Sequence, residues 1–141
     1  MELKILLPLD DSETSKRTLD YVLANRERFS PPLTLLHVVS IDKLAYRMIP
    51  DFQMDMVRER ARATGEQFLQ KTQERLAAAG LQVVPRLELG NPRELIPRIA
   101  NSENFQLLVI GRGHMGEIRD VLFGSVANYV VHQVRCPVLL I

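Results

Sequence analysis

Cysteine is nearly missing from this chain: Cys136 stands alone in 141 residues. An internal disulfide is excluded, and a reducing compartment, the cytoplasm, is the expectation. A surplus of charge is missing too. The 18 Lys and Arg against 17 Asp and Glu leave a net charge of +1, which gives no electrostatic case for nucleic acid as a partner. Apolar runs long enough to span a membrane are absent, so no membrane segment is expected. A strand-like run follows Met1 almost at once, which leaves no place for a signal peptide. Repeats and low-complexity tracts are absent as well. His37, His114 and His132 have no metal-ligand spacing, so no metal site is expected. No lysine of the Walker type follows the glycines near the C-terminus, and no general base faces them. No catalytic residue is assigned, and the chain is expected to hydrolyse a nucleotide slowly at most.

What is present reads as one domain over 1–141, with 46% apolar and 25% charged residues. Leu3 to Leu9, Leu33 to Val39, Leu107 to Ile110 and Val138 to Ile141 are short apolar runs of the kind that form buried strands. Leu81 to Leu89 carries Pro85, which makes it an edge strand. Between these runs lie helical patterns. One is capped by Asp11 or Ser12 and runs to about Arg26. A long one covers Met54 to Ala79, with Val57, Ala61, Phe68, Thr72, Leu76 and Ala79 on its apolar face and Gly80 as its stop. One opens at Pro92, with Leu95, Ile96 and Ile99 facing inward, and the last covers Ser125 to Val134. Residues 40–52 have no clean period and read as a loop or flap. Strands alternating with helices imply a parallel sheet covered on both faces, doubly wound, with a ligand crevice at the carboxyl ends of the strands where the winding reverses. Asp10, Val38 and Gly111 end three such strands and converge there.

The chain is organised around 105–141. After the strand Leu107 to Ile110 come Gly111, Gly113 and Gly116, then Gly124-Ser125 at the head of a helix. Glycines admit positive φ and close approach of a ligand. Their amides can form an anion-binding concavity, and a helix start attracts phosphate. Gly111-x-Gly113-x-x-Gly116 is also a literal dinucleotide fingerprint, but the acidic residue that should follow is missing and too little chain remains for a further βαβ unit. Asp10-Asp11 after the first strand is compatible with a phospho-accepting receiver domain, but the third strand ends Glu88-Leu89-Gly90 and no lysine follows the fifth. Ser125 reads as a helix cap and Cys136 as a packing residue. His37, inside an apolar run, reads as a packed residue beside the crevice.

Five stretches carry a resemblance to a known family: Ile5 to Glu13, Leu35 to Val39, Gly90-Asn91-Pro92, Leu122 to Ala127 and Arg135 to Leu140. They are similar to the universal stress protein family, whose nucleotide-binding members carry Gly-x-x-Gly followed at a fixed spacing by Gly-Ser or Gly-Thr. Gly111 and Gly124-Ser125 fit that pattern, while His114 stands at the second glycine and Gly113 lies one place early. The resemblance implies a Rossmann-like α/β fold, five parallel strands in the order 3-2-1-4-5, and a homodimer joined through the last strand. It implies ATP, with or without Mg2+, as the cofactor. Asp10 would sit at the ribose or base, Val38 would offer backbone groups to adenine, Gly111 would begin the phosphate loop, and Gly124, Ser125 and Val126 would take the phosphates. Pro8, Leu9, Ile110, Arg112, Gly113, His114 and Gly116 complete the expected site. A non-glycine residue forced to positive φ at 114 costs about 1–2 kcal/mol. Two functions therefore stay open: an ATP-binding regulatory module of a stress response, and a dimeric interaction module that binds no nucleotide and acts through unidentified protein partners.

Overall fold

The computed structural model describes residues 3–29, 31–40, 51–112 and 125–141. Five parallel strands form one sheet: β1 (Ile5–Pro8), β2 (Leu33–Ser40), β3 (Val83–Gly90), β4 (Leu107–Ile110) and β5 (Val138–Leu140), in the order β3-β2-β1-β4-β5. The helices are α1 (Glu13–Ala24), α2 (Asp51–Ala78), α3 (Pro92–Ser102) and α4 (Ser125–Gln133). The expected strand order and alternation are observed. Boundaries differ in small ways. The first helix stops at Ala24, where the Asn25 N–H bonds the Tyr21 carbonyl, and Arg26–Phe29 forms a tight 3-10 turn that buries Phe29. The long helix begins at Asp51, so the expected flap is shorter than 40–52, and residues 41–50 lie outside the description.

Side-chain alternation along the strands splits the core into two layers. Leu7, Leu9, Leu33, Leu35 and Val109 pack against Leu19 and Val22 of α1 and Leu69 and Leu76 of α2. Leu6, Leu36, Leu108 and Ile110 pack on the opposite face against Ile96 and Ile99 of α3 and Ala127 and Val130 of α4. Each of the Leu, Ile and Val side chains among them, removed from water, contributes about 1.5–3 kcal/mol before the ordering entropy is subtracted. Helices on both faces explain why these strands are apolar throughout. Among the described residues, no helix is long and apolar enough to cross a membrane.

Local chemistry sets the ends. Ser12 caps α1, its hydroxyl accepting the Ser15 N–H at 3.2 Å. Asn91 caps α3 by accepting the Arg93 N–H, with Pro92 in the first turn. Gly80 takes φ +89° after α2. Its N–H bonds the Ala77 carbonyl, and the Leu81 N–H reaches back to Leu76, the Schellman arrangement that only glycine adopts without strain. Pro85 behaves as expected in the edge strand. The Leu33 N–H takes the Gln82 carbonyl, so even-numbered residues of β3 turn their backbone groups toward β2 and Pro85 turns its missing N–H outward.

The buried face of α2 is the expected one at Thr72 and Leu76 and adds Gly65 and Leu69. Gly65, Leu69, Thr72 and Leu76 are buried, whereas Val57, Ala61 and Phe68 are half-buried. Gly65 lies at the closest approach to the sheet: a Cβ there would fall 2.6 Å from Val39 Cγ2 and 3.0 Å from Leu87 Cδ1. The absence of a side chain lets the helix settle on β2 and turns Phe68 toward the strand ends.

Candidate functional site

The carboxyl ends of β2, β1 and β4 open onto a cleft of about 500 Å³. Its position follows from topology. The connections through α1 and α2 wind one way from β1, and those through α3 and α4 wind the other, so β1 and β4 part company at the switch point. The first turn of α1 and the middle of α2 wall the cleft on one face of the sheet. Pro92 and Ile96 of α3 and Val126 and Ala127 of α4 wall it on the other.

Asp10 follows β1 and is held by three hydrogen bonds. Its Oδ1 accepts the Ser12 N–H at 2.8 Å and the Ser15 hydroxyl at 2.9 Å, while its own N–H donates to Ser15 Oγ at 2.8 Å. Partial burial pushes the carboxyl upward. Hydrogen bonds from Ser12 and Ser15, with the charge of nearby His37, outweigh it and hold Asp10 below its ordinary 3.8. The sign of the stability effect follows. A carboxyl with a depressed folded-state pKa stabilises the fold above its unfolded value and loses that contribution as pH falls through the folded one. The stability difference between wild type and Asp10→Ala, measured by urea unfolding, is expected to shrink as pH falls from about 5 to below 3. A pH-independent difference would show that the ionised carboxylate is not what organises this turn.

Gly111 is buried at the end of β4. A Cβ on it would collide with Thr18 Oγ1 and lie 2.5 Å from Thr14 Cγ2. Positive φ is found at Gly80 and Gly90 among the described glycines, not at Gly111. Space, rather than backbone freedom, demands glycine here: β4 runs directly into the first turns of α1.

Val38 presents backbone rather than side-chain chemistry. The Leu9 N–H bonds the Leu36 carbonyl at 2.9 Å, so even-numbered residues of β2 direct N–H and C=O toward β1. The next rung would join the Val38 N–H to the Leu9 carbonyl. That carbonyl instead lies 2.9 Å from His37 Nδ1, and since a carbonyl accepts, Nδ1 carries the hydrogen. The chain then turns away from β2 through Asp10 and Asp11 into α1. Among the described residues, nothing bonds the β1-side N–H and C=O of Val38, which lines the cleft. The His37 ring packs on Phe68 of α2, with centroids 4.5 Å apart and planes at 43°. It is the packed neighbour of the crevice that its apolar run implies.

Of the expected site residues, Pro8, Leu9, Asp10, Val38, Ile110, Gly111 and Val126 line this one cleft. Arg112 does not: its side chain is exposed, and its N–H closes the sheet on the Ile141 carbonyl at 2.8 Å. Ser125 is the first residue of α4, with its side chain outside the description. Gly113, His114, Gly116 and Gly124 lie outside the described residues. Sequence reasoning missed Ser15, Thr14, Thr64 and Phe68, all of which line the cleft. Ser15 had a signal, because a polar residue three places after an N-cap serine reaches back to the turn. Thr64 and Phe68 had none, since their role depends on how closely α2 approaches β2. Asp10 and Asp11 are the carboxylates of the lining, and no lysine or arginine joins them among the described residues. Groups of His, Cys, Asp and Glu that could hold a metal are likewise absent among the described residues. Cys136 packs against the α3–α4 layer, where burial pushes its thiol up, away from thiolate chemistry.

Comparison with known proteins agrees with this architecture. A universal stress protein from Thermus aquaticus is 30% identical, the match covering 97% of this chain and 96% of that one. The solved structure of the hypothetical protein MJ0577, a universal stress protein of Methanocaldococcus jannaschii, is 27% identical with a TM-score of 0.74 and covers 100% of this chain and 96% of its own. A universal stress protein family protein from Arabidopsis thaliana, solved with AMP bound, shares the fold at 19% identity and a TM-score of 0.69, covering 99% of this chain and 90% of its own. The model of the universal stress protein family matches residues 1–141 from end to end. With the same strand order read from the structure, the chain belongs to the universal stress protein family.

Proposed function

We propose that this chain binds an adenine nucleotide, ATP with its Mg2+ ion, in the cleft at the switch point and works as a homodimeric regulatory module of a stress response. The observation behind this reading is the Val38 N–H and C=O, without backbone partners in the cleft wall among the described residues, with Asp10 and Gly111 following β1 and β4 in the same wall. An unpaired peptide group away from water costs free energy until a partner takes it. The edge of a nucleobase supplies both a donor and an acceptor at suitable spacing. The ribose then falls near Asp10, whose carboxylate is tied to Ser12 and Ser15 at the start of α1 and repels phosphate from it. Phosphates are directed to the other side of the cleft, toward Gly111 and the start of α4, where amides and a helix N-terminus receive them. Because the described lining holds carboxylates and no lysine or arginine, a triphosphate is expected to arrive with its magnesium. The AMP bound to the Arabidopsis protein of the same fold is in keeping with this class of ligand.

Calorimetry with ATP and Mg2+, ADP and AMP tests the reading. Micromolar dissociation constants are expected, near −8 kcal/mol. No heat with any of them at about millimolar concentration would overturn it. Binding by His114→Gly but not by wild type would favour the dimeric interaction module instead.

The dimer rests on β5. The Leu108 N–H takes the Pro137 carbonyl and the Ile141 N–H takes the Ile110 carbonyl, so Val138 and Leu140 direct their N–H and C=O groups outward from the sheet edge. An apolar edge of this kind pairs readily with a second copy across a two-fold axis. Light scattering at concentrations on the order of tens of micromolar is expected to give a dimer, and Leu140→Pro a monomer, because proline removes an outward N–H and leaves the β4 ladder intact. A monomeric wild type would refute the pairing.

A further inference from the structure

We infer that His37 is a positioning residue for the base: by occupying the Leu9 carbonyl it keeps the Val38 N–H and C=O open as a donor–acceptor pair for the adenine edge. This rests on the nucleotide reading above. Three observations combine. The ladder between β1 and β2 is intact as far as the Leu9 N–H on the Leu36 carbonyl. The partner that the Val38 N–H would take next, the Leu9 carbonyl, is held by His37 Nδ1 at 2.9 Å. The ring that holds it is itself fixed, packed at 4.5 Å on Phe68 from a helix that Gly65 allows close to the strand. A side chain thus takes the last rung that the sheet would otherwise form, and a backbone edge is left facing the cleft. In the parallel register the Val38 N–H is the next partner of the Leu9 carbonyl, so without the imidazole the ladder would close by one rung.

The chemistry of that edge selects among purines. Adenine offers an amino donor beside a ring-nitrogen acceptor. Hypoxanthine and guanine offer a carbonyl acceptor beside an N–H donor, the reverse order along the same edge. With ribose held near Asp10 and phosphate near Gly111, the base cannot turn over to restore the match, so a purine of the wrong polarity faces donor against donor and acceptor against acceptor. Leaving site groups unpaired in this way is what makes hydrogen-bonding sites discriminate strongly.

Two measurements test this, the first on the wild type alone. By NMR, the Val38 amide of the free protein should exchange with solvent faster than the neighbouring amides of β2, and AMP should slow it. AMP should bind about tenfold or more tighter than IMP, which differs only in that edge. The second uses His37→Phe, which keeps a ring against Phe68 and loses the Nδ1 donor. It should protect the Val38 amide without ligand, weaken AMP about tenfold and bring the AMP-to-IMP ratio toward one. A merely structural role for His37 would lower stability and move neither the exchange at Val38 nor the ratio. Protection of the Val38 amide in the free wild type overturns the inference, as does an unchanged AMP-to-IMP ratio in His37→Phe. Should His37→Phe fail to fold, the wild-type exchange and the AMP-to-IMP comparison still decide it. A wild type that binds no adenine nucleotide at all brings down the nucleotide reading and this inference with it, whereas tight AMP binding shared by both proteins brings down this inference alone.

Discussion

Replacing Gly111 by alanine is expected to lower the unfolding free energy by about 1–3 kcal/mol, the usual cost of inserting a carbon into a closed contact, and valine is expected to cost more. The added Cβ meets Thr18 Oγ1 and Thr14 Cγ2 and lies 3.3 Å from the Thr14 carbonyl oxygen. Thr18 cannot give way easily. It is 1% exposed, and its hydroxyl donates to the Thr14 carbonyl at 2.8 Å, inside the first turns of α1. The relief open to the structure is to move the start of α1 away from β4. That motion carries Ser12 and Ser15 with it, and so loosens the carboxylate of Asp10. Stability and ligand affinity should therefore fall together in Gly111→Ala, although the substitution removes no group that could contact a ligand. The assignment of cause is open to a double-mutant cycle. Thr14→Ser deletes the methyl that the new Cβ strikes. In Gly111→Ala with Thr14→Ser, part of the loss should return, with a coupling of about 0.5–3 kcal/mol by urea denaturation. Strict additivity would mean that the clash with Thr14 is not the origin of the cost.

The same position shows what the sequence could and could not disclose. That Asp10, Val38 and Gly111 would meet was legible, because the carboxyl ends of parallel strands share one edge of a sheet and alternating strands and helices leave a parallel sheet as the solution. Why Gly111 must be glycine was not legible. A glycine after a strand and before further glycines reads as conformational freedom, whereas the structure shows a steric requirement set by two threonines on another element. Val38 repeats the lesson. The ends of the first two apolar runs, at Leu9 and Val39, indicate that the second strand outlasts the first. Which backbone groups this leaves unpaired depends on a register that places Pro8 against Leu36, and on a histidine ring reaching a carbonyl 28 positions earlier in the chain. Only part of the buried face of α2, Thr72 and Leu76, is legible, for a related reason. At 28 residues it extends about 42 Å, against about 26 Å for an eight-residue strand, so its N-terminal turns overrun the sheet. Met56 there is 57% exposed. Apolar residues in those turns dilute the periodic signal, and a pattern that marks Thr72 and Leu76 gives no sign that the closest approach to the sheet falls at Gly65.

Gly65→Leu should be the most destabilising change on that helix, about 2–4 kcal/mol and roughly 5–15 °C in Tm. By intrinsic preference the opposite is expected, since a glycine inside a helix is worse than most residues by up to about 1 kcal/mol. Tertiary contact reverses the sign. Even the first carbon of a side chain would lie 2.6 Å from Val39 Cγ2, 3.0 Å from Leu87 Cδ1 and 3.4 Å from His37 Cδ2. Both strands under the helix are engaged, so rotation about the helix axis exchanges one clash for another and leaves outward displacement as the relief. Displacement separates Phe68 from His37, whose rings are 4.5 Å apart, and removes the support that fixes the imidazole on the Leu9 carbonyl. Gly65→Ala separates the two opposing terms. Its propensity gain of about 1 kcal/mol works against overpacking of about 1–3 kcal/mol, so a net loss smaller than that of leucine is expected. A stabilised Gly65→Ala would show that α2 does not need the glycine in order to approach β2. If both variants fold and lose adenine-nucleotide affinity in proportion to their loss of stability, the helix acts on the site through its distance from the strand. If affinity is kept while stability falls, the His37 ring holds the Leu9 carbonyl without help from Phe68, and the site is rigid at the strand ends alone.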